Sequence, residues 1–111
     1  MALKANIVID QGADFQALID IEVEPNVPFD LTSHIVAAQM RKTYASQTAY
    51  DFICTHNGVL GQITLKMDKL ITQDLDPGRY LYDIEITAPN NTTTRAVEGI
   101  VTVTPGITRS T

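Results

Sequence analysis

The run Asp76-Pro77-Gly78-Arg79-Tyr80, continuing as Leu81-Tyr82-Asp83-Ile84-Glu85-Ile86, constrains the fold of this chain more than any other stretch. Tyr80, Tyr82, Ile84 and Ile86 fall at even positions, while Arg79, Asp83, Glu85 and Thr87 fall at odd ones. A period of two places these sets on opposite faces of a strand. Pro77 and Gly78 supply the turn that launches it. A D-x-G-x-Y turn opening an alternating strand is how a two-sheet sandwich builds a tyrosine corner, in which the phenol bonds back to nearby backbone. Asp76, Gly78 and Tyr80 are therefore read as a structural corner.

The same alternation organises most of the chain. A short strand over Asn6 to Asp10 ends in the turn composition Asp10-Gln11-Gly12-Ala13-Asp14. A second covers Phe15 to Glu24, with Phe15, Ala17, Ile19, Ile21 and Val23 on one face and Gln16, Asp20 and Glu22 on the other. Pro25 and Pro28 break it, because proline donates no ladder hydrogen bond. Phe29 and Leu31 then plug the sandwich edge, with Asp30 and Thr32 supplying turn bonds. A third strand spans His34 to Tyr44, with Val36, Ala38 and Met40 inward, and a fourth spans Tyr50 to Thr55. Asn57-Gly58 is a hairpin signal, and Leu60 to Met67 forms a fifth strand that buries Ile63, Leu65 and Met67. Leu70, Ile71 and Leu75 at near-helical spacing predict a short helical turn, with Asp68 as its N-cap. The sixth strand is Arg79 to Ala88. The seventh, Thr93 to Thr104, aligns Val97, Val101 and Val103, and Gly99 marks a bulge in it.

About seven short strands with regular turns predict an all-β, immunoglobulin-like antiparallel β-sandwich with Greek-key connections and a short helical turn before the corner. Residues 1–111 form a single domain, of which 106–111 are a polar tail. Tyr82 lies two residues after Tyr80, where antibody domains carry the second disulfide cysteine, and Phe15 to Val23 is apolar where the first would sit. The sole cysteine, Cys54, has no internal partner, so hydrophobic packing is expected to replace the staple.

Composition narrows the function classes. A net charge of −5 and a pI near 4.7 oppose nucleic-acid binding, which needs clustered Lys and Arg; Arg41-Lys42 is an isolated basic pair. No apolar run approaches the ~20 residues that span a bilayer, so no membrane role is expected. Met1-Ala2-Leu3-Lys4 does not resemble a secretory signal, which points to synthesis in a cytoplasm. The sequons around Asn90 and Asn91 then read as a polar turn.

Candidate chemistry is sparse. Cys54 and His56 share a strand face, as a nucleophile with its base or two metal ligands would; a small buried cysteine beside an exposed turn explains them as well. Asp68, Asp74 and Asp76 are hard-oxygen donors without the spacing of a calcium loop. His34 stands alone at a strand start. No phosphate loop, paired-histidine motif or nucleophile elbow is present. The expectation is a non-enzymatic protein without cofactor or metal. The candidate interaction face is an outward apolar stripe of Ile35 and Ala37 on the third strand with Leu81 and Ile100 on the sixth and seventh, since contiguous exposed apolar area marks contact sites.

Several segments, taken in order, resemble a known group. Asn6-Ile7-Val8-Ile9-Asp10-Gln11-Gly12-Ala13-Asp14-Phe15 resembles the opening of small structural proteins of T-even-like myophages, notably those infecting cyanobacteria. Phe29-Asp30-Leu31-Thr32 leading to Ala37-Ala38-Gln39-Met40-Arg41-Lys42 is similar to their D-L-T-G and A-Q-[IM]-R-K stretch, with Ser33 where glycine is expected. Pro77 to Ile86 and Val97 to Pro105 resemble their closing hairpin. Similar segments occur in N-terminal domains of phage baseplate upper proteins. The resemblance implies a virion structural protein, made in the host cytoplasm, in the baseplate or tail or on the capsid surface as a decoration protein. Its partners would be other phage structural proteins and copies of itself. The competing expectation is a glycan-binding or adhesion module for host recognition. That reading is weakened by the absence of Trp and by four tyrosines read as largely committed to the core.

Overall fold

The computed structural model describes residues 3–24 and 27–107, with the side chains of 23–28 outside the description. The inward placement of Val23, the break at Pro25 and Asn26, and the last four residues of the polar tail lie outside the described residues. The elements are β1 (Leu3–Lys4), β2 (Ile7–Asp10), β3 (Phe15–Asp20), β4 (Glu22–Glu24), β5 (Val27–Pro28), β6 (Ile35–Arg41), β7 (Tyr50–Asp51), β8 (Ile53–Asn57), β9 (Gln62–Met67), α1 (Lys69–Thr72), β10 (Gly78–Thr87) and β11 (Thr93–Thr104). The larger sheet runs β1-β11-β10-β6-β7, with β2 also on β11; the smaller runs β3-β9-β8, and β4 and β5 form a separate ribbon. This is an all-β, sandwich-like fold. Its core is built from the inward positions of both sheets, including Met40, Ile63, Leu65, Ile84, Val97 and Val101.

The corner forms as its residues dictate. Gly78 takes φ 135°, a conformation open to glycine, and the Tyr80 hydroxyl donates to the Asp76 carbonyl at 2.8 Å. Asp68 caps α1 by accepting from the Leu70 N–H at 3.0 Å. Within that turn Leu75 is buried while Leu70 and Ile71 face out; the buried member is Thr72. The Thr72 hydroxyl donates to the Ala13 carbonyl at 2.8 Å and accepts from the Gly12 N–H at 3.2 Å. The Gln11 side chain donates to the Leu75 carbonyl at 2.8 Å and accepts from the Gly106 N–H at 3.0 Å. One polar clasp therefore joins the 10–14 turn, the helical turn and the chain beyond β11.

Four expectations need correction. There are more than seven strands, because two of those expected are split and two short ones are additional: β1 at the start, and β5, in which Pro28 pairs with Glu22 where a break was expected. The segment from Phe15 breaks at Ile21, whose N–H bonds Gly61 while its carbonyl accepts from Phe29. The segment from Tyr50 changes sheets: β7 pairs with β6, and β8 pairs with β9. At the crossing lies Phe52, buried, with ring centroids 6.0 Å from Phe15 and 6.3 Å from Tyr82. This aromatic chain links the two sheets by packing, with no disulfide at Cys54.

The sandwich is also not wholly antiparallel, since β1 and β2 run parallel to β11. Between them the Ala5 N–H donates to the Glu98 carbonyl at 3.0 Å, and Asn6 Oδ1 accepts from the Ile100 N–H at 3.1 Å. Gly99 is not the bulge. The register slips between Ile84 and Glu85, opposite Ala96, so Ala96 and Val97 are both buried. Gly99 is required for another reason: a Cβ there would land on the Ala5 carbonyl and lie 3.0 Å from the Tyr82 ring. Finally, the loop after Asn57 is longer than a two-residue turn. The left-handed residue is Gly61, at φ 62°, and Asn57 Oδ1 accepts from Leu60 N–H at 3.3 Å.

Candidate interaction surface

Outward residues of β6, β10 and β11, with the segment from Lys4 to Asn6, floor a concavity of about 680 Å³ on the open face of the larger sheet. At one end Leu81 and Ile100 are direct cross-strand partners, both half-buried. Leu81 pairs on its other side with Arg41. That guanidinium donates to the Ser46 carbonyl at 2.6 Å and to Gln39 Oε1 at 3.3 Å, holding the 43–46 loop against the sheet. Tyr44, in this loop, lines the concavity and is 83% exposed.

The middle of the face is charged. Asp83 and Glu98 are opposite one another, and like charges in that position repel. The bulge at Ala96 offsets this by turning Arg95 outward: its Nε lies 3.1 Å from Asp83 and its guanidinium 3.4 Å from Glu98. All three side chains are partly solvated, so each contact contributes under about 1 kcal/mol. The three together keep this belt polar without a net repulsion.

The register separates the residues expected to form one apolar stripe. Ile35 is opposite Thr87 and Ala37 opposite Glu85, at the far end of β10 from Leu81. Gln39, Asp83, Glu85 and Arg95 lie between the two groups, which are therefore distinct patches. Leu81 and Ile100 are brought together; Ile35 and Ala37 are not brought to them.

Tyr44 was missed because it shares the even parity of Val36, Ala38 and Met40 and so reads as core. β6 ends at Arg41, however, and the following loop carries Tyr44 outward. The polar run beginning at Lys42-Thr43 was the available signal. The other tyrosines differ as well: Tyr80 and Tyr82 are buried and Tyr50 half-buried.

Cys54 is half-buried, its Sγ 3.8 Å from the Phe52 carbonyl, and burial pushes its thiol pKa up while the Ala38 backbone opposes this. His56, two residues on, is exposed. The His34 ring packs edge-on against Phe29 at 5.6 Å, with Nδ1 3.1 Å from the Thr32 carbonyl. Asp68 is occupied as a cap. Among the described residues no group of three or more His, Cys, Asp or Glu is placed to hold a metal ion, and no helix is long and apolar enough to cross a membrane.

No family model matches this chain, and no curated protein does. Among solved structures, the Listeria monocytogenes internalin-like protein lmo2027 is similar over 93% of this chain, with a TM-score of 0.52 and 18% identity. The match spans 28% of the length of that chain. At this identity the likeness is one of fold.

Proposed function

We propose that this chain is a non-enzymatic structural protein of a tailed-phage particle, in the baseplate or tail or as a capsid decoration, acting by protein–protein contact. The observation that carries the contact role is the open sheet face, where Leu81 and Ile100 form an apolar floor beside exposed Tyr44. Aromatic and apolar side chains at the centre of a patch, ringed by polar ones, make the usual energetic core of an interface. The phage context rests on the resemblance of the opening segment, the Phe29–Thr32 segment and the closing hairpin. The test is to locate the chain in density maps of purified particles and to replace Leu81 and Ile100 with Thr. Particles that lose the chain support the reading; unchanged incorporation rejects it.

Tyr44 supports a second reading as a glycan-binding module. An exposed ring beside Asn6, Gln39 and Asp83 offers a stacking platform with hydrogen-bonding groups alongside. Glycan-array binding lost in Tyr44→Ala would favour it, and a silent array would remove it.

A further inference from the structure

Strand β3 is an open edge. It pairs with β9 on one side, and among the described residues no strand pairs with it on the other. Natural edges are commonly blunted by Lys, Pro, bulges or shortness. β3 is six residues long, Phe15-Gln16-Ala17-Leu18-Ile19-Asp20, without Lys or Pro and with no break in its register against β9. By contrast β7, which ends the larger sheet, has two residues.

The hydrogen-bond phase of this edge is fixed. The Ile21 N–H donates to the carbonyl of Gly61, the residue that continues the β3–β9 register. Odd residues of β3 therefore bond β9, and the backbone groups of Gln16, Leu18 and Asp20 point to the open side. Their side chains lie on the solvent face, where Leu18 is 59% exposed.

We infer that this edge pairs antiparallel with the β3 of a second copy about a two-fold axis through Leu18, an interface beyond the sheet face of the proposed function. Only even residues can exchange bonds across such an axis. Centring it on Leu18 sets Leu18 against itself and Gln16 against Asp20 of the second copy on both sides. Every free N–H and C=O of the three residues is then used, and no like charges meet within the paired strands; Asp14 and Glu22, which this register sets opposite each other, lie beyond the ends of β3. Centring on Asp20 would oppose two carboxylates. A register with Gln16 opposite Leu18 would leave the Asp20 backbone groups without a strand partner, since position 14 lies before β3. The charge pattern and the bond phase thus select the same alignment, joining two three-stranded sheets into one of six. The contact is small and belongs with weak interfaces, but copies held in one assembly meet at effective concentrations of about mM.

The test is sedimentation of the full chain from 1 µM to 1 mM, with hydrogen exchange read at single amides. Concentration-dependent dimerisation is expected, with slowed exchange at Gln16, Leu18 and Asp20. Gln16→Lys should tighten the dimer about fivefold and Gln16→Asp weaken it about fivefold, from two symmetric cross-strand pairs. Within one chain the effects run the other way, because Gln16 is opposite Lys66 on β9; a weaker Gln16→Asp dimer therefore cannot be ascribed to unfolding. The same charge changes at exposed Gln73 should leave the dimer unaltered. Leu18→Pro removes an edge donor without touching a β9 bond and should abolish pairing. A chain that stays monomeric at 1 mM, leaving the edge to a strand of another protein, overturns the inference. So does a dimer indifferent to the sign of the charge at residue 16.

Discussion

Two buried tyrosines, Tyr80 and Tyr82, each donate a hydrogen bond to a backbone carbonyl, and removing the two hydroxyls should have unequal effects. Tyr80 closes a local loop to Asp76, an exposed residue whose carbonyl water can reach once the phenol is gone. Tyr80→Phe should cost about 1 kcal/mol, the net value of a neutral hydrogen bond. Tyr82 reaches Ala5, 77 residues away in sequence, through the space left by Gly99. Tyr82→Phe loses the same bond and leaves the Ala5 carbonyl against a ring edge, adding about 1–3 kcal/mol for an unsatisfied acceptor. The expected total is about 2–4 kcal/mol. For a domain of this size that lowers Tm by about 10–20 °C, against about 5 °C for Tyr80→Phe. Urea and thermal unfolding followed by far-UV circular dichroism measure both. Titration gives a second reading. Burial pushes the Tyr82 phenol up to about 12 from an ordinary 10.0, and raises Tyr80 in the same direction. Below pH 10 both folded and unfolded chains hold these protons and stability is unaffected by them. Between pH 10 and 12 the unfolded chain releases protons that the folded chain keeps, so stability falls as pH rises. Tyr82→Phe should flatten that fall. A Tyr82→Phe variant no less stable than Tyr80→Phe, with an unchanged alkaline slope, would refute the reasoning.

Gly99→Ala drives a Cβ into the Ala5 carbonyl; a loss of about 2–3 kcal/mol is expected from overpacking, with faster amide exchange in β2, and wild-type stability would count against the close approach. Ser33 holds φ 65°, so Ser33→Gly should relieve about 1 kcal/mol of left-handed strain, partly cancelled by glycine's unfolded-state entropy; a raised or unchanged Tm is expected, and a fall of several degrees is not. Arg95→Met leaves Asp83 opposite Glu98 without a shared cation; it should cost under about 1 kcal/mol and recover in 1 M salt, where the Debye length is about 3 Å.

What the sequence made legible was whatever depends on parity and turn chemistry. The corner, the Asp68 cap, and the inward sets on β6, β9, β10 and β11 follow from alternation and from Pro-Gly or Asp at fixed offsets. The Leu31 plug follows too: Leu31 is buried, and Asp30 Oδ1 accepts from Thr32 N–H at 2.9 Å. What escaped depends on where one strand lies against another. Nothing local tells Phe52 to carry the chain between sheets, because the apolar pattern is the same on either side of it. The bulge was assigned to Gly99, the residue with the freest backbone, whereas the register slips at Ala96 to bring Arg95 between two carboxylates. The outward phase of Leu81, Ile100, Ile35 and Ala37 was readable. Their placement along the sheet was not, since parity carries no information about stagger. The resemblance expected glycine at 33, and Ser33 keeps a glycine-like backbone there.

The two surfaces lie on different sheets, which makes them separable. An edge pairing with itself about a two-fold axis is closed and joins two copies. The Leu81–Ile100 floor lies on the face of the other sheet, where no edge hydrogen-bond phase fixes a two-fold, and on the proposed reading it meets a different surface on a neighbour. On the proposed reading, a domain fastened by that face and paired by β3 would enter a particle in couples. Gln16→Asp should then weaken pairing in solution and leave attachment through the face intact. Replacing Leu81 and Ile100 with Thr should abolish attachment and leave pairing intact. A single substitution on either surface that disturbed both activities equally, in a chain that still melted as the wild type, would mean that the two are one interface and that the edge argument had misjudged which backbone groups are free.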